Sequence, residues 1–495
     1  MRVKPPVFFV IVASLAAYFF APFSGALPLD ATSAPEVVGD RRQVVEPSAP
    51  AITCVTVTAQ LSMPNGTASA AQESAPPDTA RIQEALDSPA CVQADAQSVA
   101  VRLSAEGAHA SFLSGPLIVH KGEVLLLDST VTVYASRNPA DYQVAGNPSC
   151  GSIAATGKGC EPLISVTGSH SGVESGAAPD GSQGRIDGRG GMPMLGSNQS
   201  WWQLSQAARN VGEQNVPRLI QAIRADDVTL HDIDLVNSPG FHVSYRDGDG
   251  LTAWGVRIYT PATARNTDGI DPAGATDVTI ANSWIMDGDD GVAIKAASAP
   301  SSHISILRSH FFGTHGISIG SETTAGVSDV LVADNTVTGT DALGNVSAWS
   351  VGIRIKSSPK AGGVVTNVLY RNICIDAVKA PLEFDPRYAG GQGATTPWLT
   401  NIAVNGLWAT HSLPGAVSTL RGTDEVHRLE LRLENVSVNA KKVEMAFANV
   451  KAFNVQFGGS PVASTDPAAQ QSEGAQAAAP PPCTVPSYPQ LSIPR

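Results

Sequence analysis

The chain has 495 residues, 43% of them hydrophobic and only 15% charged, with a formal net charge of −12 at pH 7. That length and apolar content bury a large core, as one elongated domain or several compact ones. The acidic balance argues against a nucleic-acid partner, so an anionic ligand has to be held by local cations.

Residues 1–26 read as a secretory signal. Arg2 and Lys4 precede an apolar stretch from Pro6 to Phe23, and Ser24-Gly25-Ala26 is a small-residue cleavage site. The rival, an uncleaved membrane anchor, is disfavoured because no long second apolar span follows. Removing this segment takes away two cations and no anions, which moves the net charge from −12 to −14. The expected product is a secreted monomer with no stable membrane association. Residues 27–75, rich in Ala, Pro, Ser and Val, read as a partly irregular leader. Residues 78–86 then form a short amphipathic helix with Asp78 as its N-cap. Such a helix closes the open end of a stack of strands.

Residues 76–459 read as the catalytic domain, and from about residue 184 the chain repeats itself. Asp227-Val228-Thr229-Leu230, Asp277-Val278-Thr279-Ile280, His303-Ile304-Ser305-Ile306, Asp329-Val330-Leu331-Val332 and Asn367-Val368-Leu369-Tyr370 are versions of one strand. Val278, Ile304 and Val330 are spaced by 26 and 26 residues, and Val368 follows after 38. The longer interval accommodates an insertion from about Thr340 to Ser350. Periods of this size, with Gly (46) and Pro (35) abundant, indicate a solenoid whose coils each contribute short parallel strands. The leucine and asparagine spacing of a leucine-rich repeat is absent, and hairpin turns for a propeller are not in place. A right-handed parallel β-helix is the predicted fold, all-β apart from the capping helix. Residues 460–495 read as a low-complexity tail. The six cysteines suit an exported protein. Cys150 and Cys160 are close enough to close a small loop, which leaves Cys54 with Cys91 and Cys374 with Cys483 as natural pairs among several connectivities. No cysteine lies near a histidine at zinc-site spacing, so neither metal nor cofactor is expected.

Four segments carry the chemistry: Gly269-Ile270-Asp271, Gly291-Val292-Ala293-Ile294-Lys295, Gly316-Ile317-Ser318-Ile319-Gly320 and Gly352-Ile353-Arg354-Ile355-Lys356. Each is a glycine followed by period-2 alternation, a short strand with one buried face. Asp268, then Asp289 and Asp290, then His315 stand just before the first three glycines. Singly, each is an ordinary turn residue. Their registration at about one coil apart is what gathers them into one patch. Carboxylates held together raise one another's pKa values, so one stays protonated while another ionises. Hydrolysis of a glycosidic bond needs that division between acid and base. Arg354 and Lys356 leave the strand face opposite Ile353 and Ile355, which suits an acidic polymer. Ile317, Ile319, Ile353 and Ile355 are predicted core. Lys295 reads as a groove edge or solvated residue, and His242 as a structural histidine. Four Asn-X-Ser/Thr sequons, Asn198-Gln199-Ser200 among them, matter only in a eukaryotic secretory host.

These motifs resemble, in order, the signatures of the polygalacturonases of glycoside hydrolase family 28: Asn266-Thr267-Asp268, Gly288-Asp289-Asp290, Gly313-Thr314-His315-Gly316 and Arg354-Ile355-Lys356. Ile186-Asp187-Gly188-Arg189-Gly190, Asn237-Ser238-Pro239-Gly240-Phe241-His242 and a tyrosine at 388 extend the resemblance over most of the mature chain. Thr314 inside the third signature, and Gly288 where many members carry an amide, are departures. The resemblance implies that Asp289 is the general acid. Asp268 and Asp290 would position and deprotonate the attacking water, with inversion. His315 would help hold the acid's proton. Arg354 and Lys356 would bind galacturonate carboxylates, Tyr388 would contact the sugar on the leaving-group side, and Asn266 would order the site or bind substrate. The implied activity is endo-hydrolysis of α-1,4-galacturonosyl bonds in de-esterified pectin. Exo-action, a rhamnogalacturonan hydrolase, a non-catalytic carbohydrate-binding β-helix and a pectate lyase are the alternatives. The loop from Asn138 to Cys160 and the Thr340 insertion could serve either endo- or exo-action.

Overall fold

The computed structural model describes residues 37, 39–91, 98–176, 178–462 and 483–491. The expected signal segment, residues 1–26, lies outside the described residues, as does 463–482 of the expected tail. The described strands form a 22-stranded sheet, an 11-stranded sheet and a two-stranded pair. Pairing along both large sheets is parallel, except for a terminal hairpin between Ala448–Phe457 and Ser460–Pro461. This is the predicted parallel β-helix.

The repeats align as their spacing requires. Val278 pairs with Ile304, Ile304 with Val330, and Val330 with Val368, so the 38-residue interval still closes a single coil. Inside, Ile270, Val292, Ile317, Ile353 and Leu382 stack on one another through successive strands and are buried. Removing such surface from water, at about 25 cal/mol per Å² of apolar area, is the main force holding one coil on the next. The residue that opens each repeat has its own reason. Asp227, Asp277, His303, Asp329 and Asn367 all take positive φ, between 51° and 57°. Asp, Asn and His enter that left-handed region more readily than β-branched residues do, so a polar residue marks each corner.

Ends and flanks follow the same logic. The helix Asp78–Leu86 is present, but Pro77 is its N-cap and Asp78 its first residue. The Asp78 carboxylate is taken up elsewhere: it accepts from the Leu113 amide at 2.9 Å and pairs with Arg81. An edge-strand amide needing an acceptor thus outcompetes the helix's own first turn. Within the expected leader, Thr53–Thr58 is a strand paired with Val99–Ser104, and Ala70–Ser74 is a helix opened by a Ser69/Gln72 capping box. Buried Glu73 of that helix pairs with buried Arg189, which ties the leader to the coils. The disulfides are Cys54–Cys91, Cys150–Cys160 and Cys374–Cys483, the pairing favoured from sequence. The last holds residues 483–491 against the coils, where Tyr488 packs with Met286 and Phe312 and donates to the Ile258 carbonyl at 2.8 Å.

Candidate active site

Four consecutive strands of the 11-stranded sheet, Ile270–Ala273, Val292–Ile294, Ile317–Ser321 and Val351–Ser357, carry the site. The turn before each of the first three supplies the acids and the imidazole. A glycine follows His315 because the coils approach closely there. Gly316 has φ +91°, and a Cβ on it would lie 2.5 Å from the Val351 carbonyl oxygen.

Asp289 is fixed from several sides. Its Oδ1 lies 3.0 Å from His315 Nδ1 and accepts from the Asp290 amide at 3.0 Å. Its Oδ2 accepts from Asn266 Nδ2 at 3.1 Å, and Asn266 Oδ1 in turn accepts from Gln214 at 3.0 Å. The amide of Asp289 donates to Asp287 Oδ1 at 2.9 Å, and its carbonyl accepts from the His315 amide at 2.6 Å. Burial alone raises the Asp289 carboxyl. Burial is the largest single influence, but the His315 charge and hydrogen bond together with Lys356 and Lys295 outweigh it, and the result lies below the ordinary carboxylate range.

Asp268 is the opposite case. It is 4% exposed and makes no hydrogen bond through Oδ1 to any described residue. Burial first, then the charges of Asp271 and Asp289, hold its carboxyl well above the ordinary value, although Lys295 pulls it down. Asp290 differs again. Lys356 Nζ meets its Oδ2, Ser318 Oγ donates to Oδ1 at 2.8 Å, and Arg354 Nη1 lies 3.6 Å from Oδ1. The two cations are therefore not idle groups awaiting a sugar, because Arg354 also contacts Glu383 at 3.1 Å. Register explains the grouping: Ser318, Arg354 and Glu383 are neighbours in one outward row. The Tyr388 ring stands over both cations, 5.1 Å from the Arg354 guanidinium carbon and 5.4 Å from Lys356 Nζ.

All eight residues singled out from sequence thus meet in one place, and several partners escaped that reading. Lys295 is not solvated: its ammonium lies 2.6 Å from Asp271 and 3.6 Å from Asp268, over the Phe241 ring. Burial pushes its pKa down, but Asp271 and Asp268 more than reverse that, so it stays charged. Asp271 shares the outward alternation that singled out Lys356, which is the signal that could have found it. Asp287 is buried, with Oδ2 lacking any described partner, and burial holds it well above the ordinary range. No pattern distinguished it from other turn residues. His242 is structural, as expected. It is buried, accepts from Thr260 Oγ1 at Nε2 (2.8 Å), and its Nδ1 faces the Thr267 and Asp268 carbonyls at 3.1 Å. Burial depresses its pKa to about 4. It therefore shapes the Asp268 turn as a neutral ring.

Asp289, Asp290 and His315 offer ligand atoms within 4.8 Å of one another, close enough for a cation. Lys356 on one Asp290 oxygen and Ser318 with Arg354 at the other oppose that use by charge and occupancy. What the set can do is hold one proton between Asp289 and His315 beside a neutral-prone Asp268, with cations at the margin. That is acid–base chemistry on an anionic substrate.

Residues 117–459 match the family model described as glycosyl hydrolases family 28. An endo-polygalacturonase of Pectobacterium carotovorum subsp. carotovorum is 39% identical over 412 residues, 82% of this chain and 92% of that protein. A polygalacturonase of Ralstonia solanacearum is 37% identical over 418 residues, 77% of this chain and 75% of that protein. Among solved structures, the polygalacturonase from Erwinia carotovora ssp. carotovora superposes with a TM-score of 0.69 at 37% identity, covering 84% of this chain and 99% of that one.

Proposed function

The chain belongs to glycosyl hydrolase family 28, and we propose that it is a secreted endo-polygalacturonase cutting α-1,4-galacturonosyl bonds of de-esterified pectin. The observation that carries this reading is the junction of the Asp289–His315 pair with the Arg354–Lys356–Tyr388 surface. A proton donor and a reader of sugar carboxylates sit side by side.

In this reading Asp289 protonates the glycosidic oxygen as its bond to the anomeric carbon breaks. Water adds to that carbon and loses its proton to Asp290, the carboxylate that faces Lys356 and Arg354, while Asp268, kept protonated by burial, orients the water. Asp289 lies low in the free site, so its proton has to be supplied. His315 is the reservoir, and the substrate is the trigger. A galacturonate carboxylate docking on Lys356 and Arg354 draws those cations away and adds a like charge, and both effects raise Asp289. Release of Asp290 from Lys356 frees it to accept the water's proton. Tyr388 meets the sugar on the leaving-group side.

Inversion is the finer point. The Asp289 and Asp290 oxygens stand closer than the roughly 6.5–9.5 Å typical of inverting carboxyl pairs. Yet Ser318 still donates to Asp290 Oδ1 at 2.8 Å after the cations leave, which weakens it as a nucleophile and favours a water-holding role. Proton NMR of the first product, before mutarotation, tests this: a β-configured reducing end supports inversion, and an α-configured one overturns it. Sizing the products over a polygalacturonate time course tests the mode of attack. Mixed oligomers early support endo-action, whereas mono- or digalacturonate from the start means exo.

A further inference from the structure

Away from the active site, the first described residues form a strap across the outside of the 22-stranded sheet. Gly39 lies so close that a Cβ on it would collide with Ser305 Oγ. The Asp40 amide donates to that hydroxyl at 2.9 Å, and Asp40 accepts from Thr279 at 2.7 Å. Arg41 pairs with Asp277 at 2.6 Å, and Arg42 donates to the Leu251 carbonyl at 2.8 Å. The strap therefore steps from coil to coil and brings Glu46 over His231.

His231 ends the strand Val228–His231 and is flanked in register by Glu174. It is 7% exposed and Glu174 only 3%. Neither ring nitrogen, nor Glu174 Oε2, makes a hydrogen bond to any described residue. Yet carboxylates surround the ring. Nε2 lies 3.5 Å from Asp232 Oδ2 and 4.0 Å from Glu46 Oε1, and Nδ1 lies 3.8 Å from Glu174 Oε2. Asp232 keeps Oδ2 available because Gln183 donates to its other oxygen at 3.3 Å. An imidazole this buried normally satisfies both nitrogens.

We propose that His231, Asp232 and Glu46 bind a divalent first-row transition-metal ion, with Glu174 orienting the imidazole from behind, and that the ion clasps the strap to the sheet. The spacings are too long for hydrogen bonds. They suit ligands sharing an ion, since two atoms each about 2.0–2.2 Å from zinc stand roughly 3–4 Å apart. The three ligand atoms lie within 4.8 Å of one another. Imidazole with carboxylates is a donor set for zinc and its neighbours. A carboxylate behind the other ring nitrogen is the usual support for such a ligand, and Glu174, 3.8 Å from Nδ1, closes to a hydrogen bond once the ion fixes the ring.

The test is calorimetric titration of the untagged, chelator-stripped protein with zinc sulfate at neutral pH. The clasp predicts a single equivalent bound. Glu174→Gln weakens it about 10–100-fold, and Glu46→Gln, on the exposed strap where folding is not at stake, weakens it by about tenfold or more. His315→Ala leaves binding unchanged, which separates this site from the carboxylate cluster of the active site. Trypsin supplies a second readout, because the Arg41 side chain is 53% exposed. Zinc slows cleavage after Arg41 or Arg42 in the wild type and not in Glu46→Gln. The clasp is overturned by no zinc uptake, by uptake unchanged in Glu46→Gln, by uptake lost in His315→Ala, or by cleavage indifferent to zinc.

Discussion

Asp289 sits between Asn266, His315 and the Asp290 amide, so its carboxyl is oriented before any substrate arrives. Asp289→Asn keeps a single side-chain acceptor, so it holds either the Asn266 or the Asp290 amide contact, and it cannot supply the acid's proton. We expect kcat to fall by about 10² to 10⁴ while the protein stays folded. A variant retaining more than about a tenth of wild-type kcat assigns the acid elsewhere. His315 is tested by the pH profile. Activity should follow a bell with an acidic optimum, and an imidazole releases its proton at higher pH than a carboxyl. His315→Ala should therefore lower kcat and move the basic limb to lower pH, with little change in KM. An unmoved limb makes His315 structural. The acids were legible because each precedes a glycine at coil spacing. Lys295 was not: its partners Asp271 and Asp268 lie on the preceding coil, and spacing alone cannot show that two outward residues face each other.

The strands were legible in full where the alternation and the 26-residue spacing ran together, and the corners explain why. A polar residue at positive φ followed by an apolar one is a backbone requirement repeated every coil. Asp78 shows the limit of local reading. It has the chemistry of an N-cap, yet the Leu113 amide from a strand 35 residues away claims its carboxylate. The loops from Asn138 to Cys160 and from Thr340 to Ser350 were expected near the groove. Ile153–Ala154 pairs with Glu213–Gln214, whose Gln214 holds Asn266, and Asp341 accepts from the Ala262 amide at 2.9 Å. Gly316→Ala tests the element carrying His315. A Cβ there would lie 2.5 Å from the Val351 oxygen and 2.6 Å from the Gly352 oxygen, at φ +91°. A loss of about 1–3 kcal/mol in chemical denaturation is expected, together with reduced kcat. An unaffected protein would show that the coils can separate there freely.

Over the whole molecule, the solenoid spends stability on its site. Asp287 is buried with one oxygen unpartnered, and burial holds it well above its ordinary pKa. A carboxyl whose folded value lies above its unfolded one stabilises fully below the unfolded value. That contribution is lost as pH rises through the folded value. Asp287→Asn should therefore melt higher than the wild type at neutral pH, with the gap closing at acidic pH. A gap that widens on acidification would mean Asp287 is ionised in the fold. What the molecule does with that site rests on charge. Arg354 and Lys356 are buried beneath Tyr388, in a chain of net charge −12. A charge-assisted contact is worth roughly 1.5–3 kcal/mol, about one to two decades in kcat/KM. The most direct measurement compares initial rates of reducing-end release from polygalacturonate and from fully methyl-esterified pectin, for wild type and Lys356→Ala. The account predicts fast wild-type cleavage of polygalacturonate, poor cleavage of the ester, and loss of about one to two decades on polygalacturonate in the variant. Equal wild-type rates on both polymers, with no loss in Lys356→Ala, would contradict it.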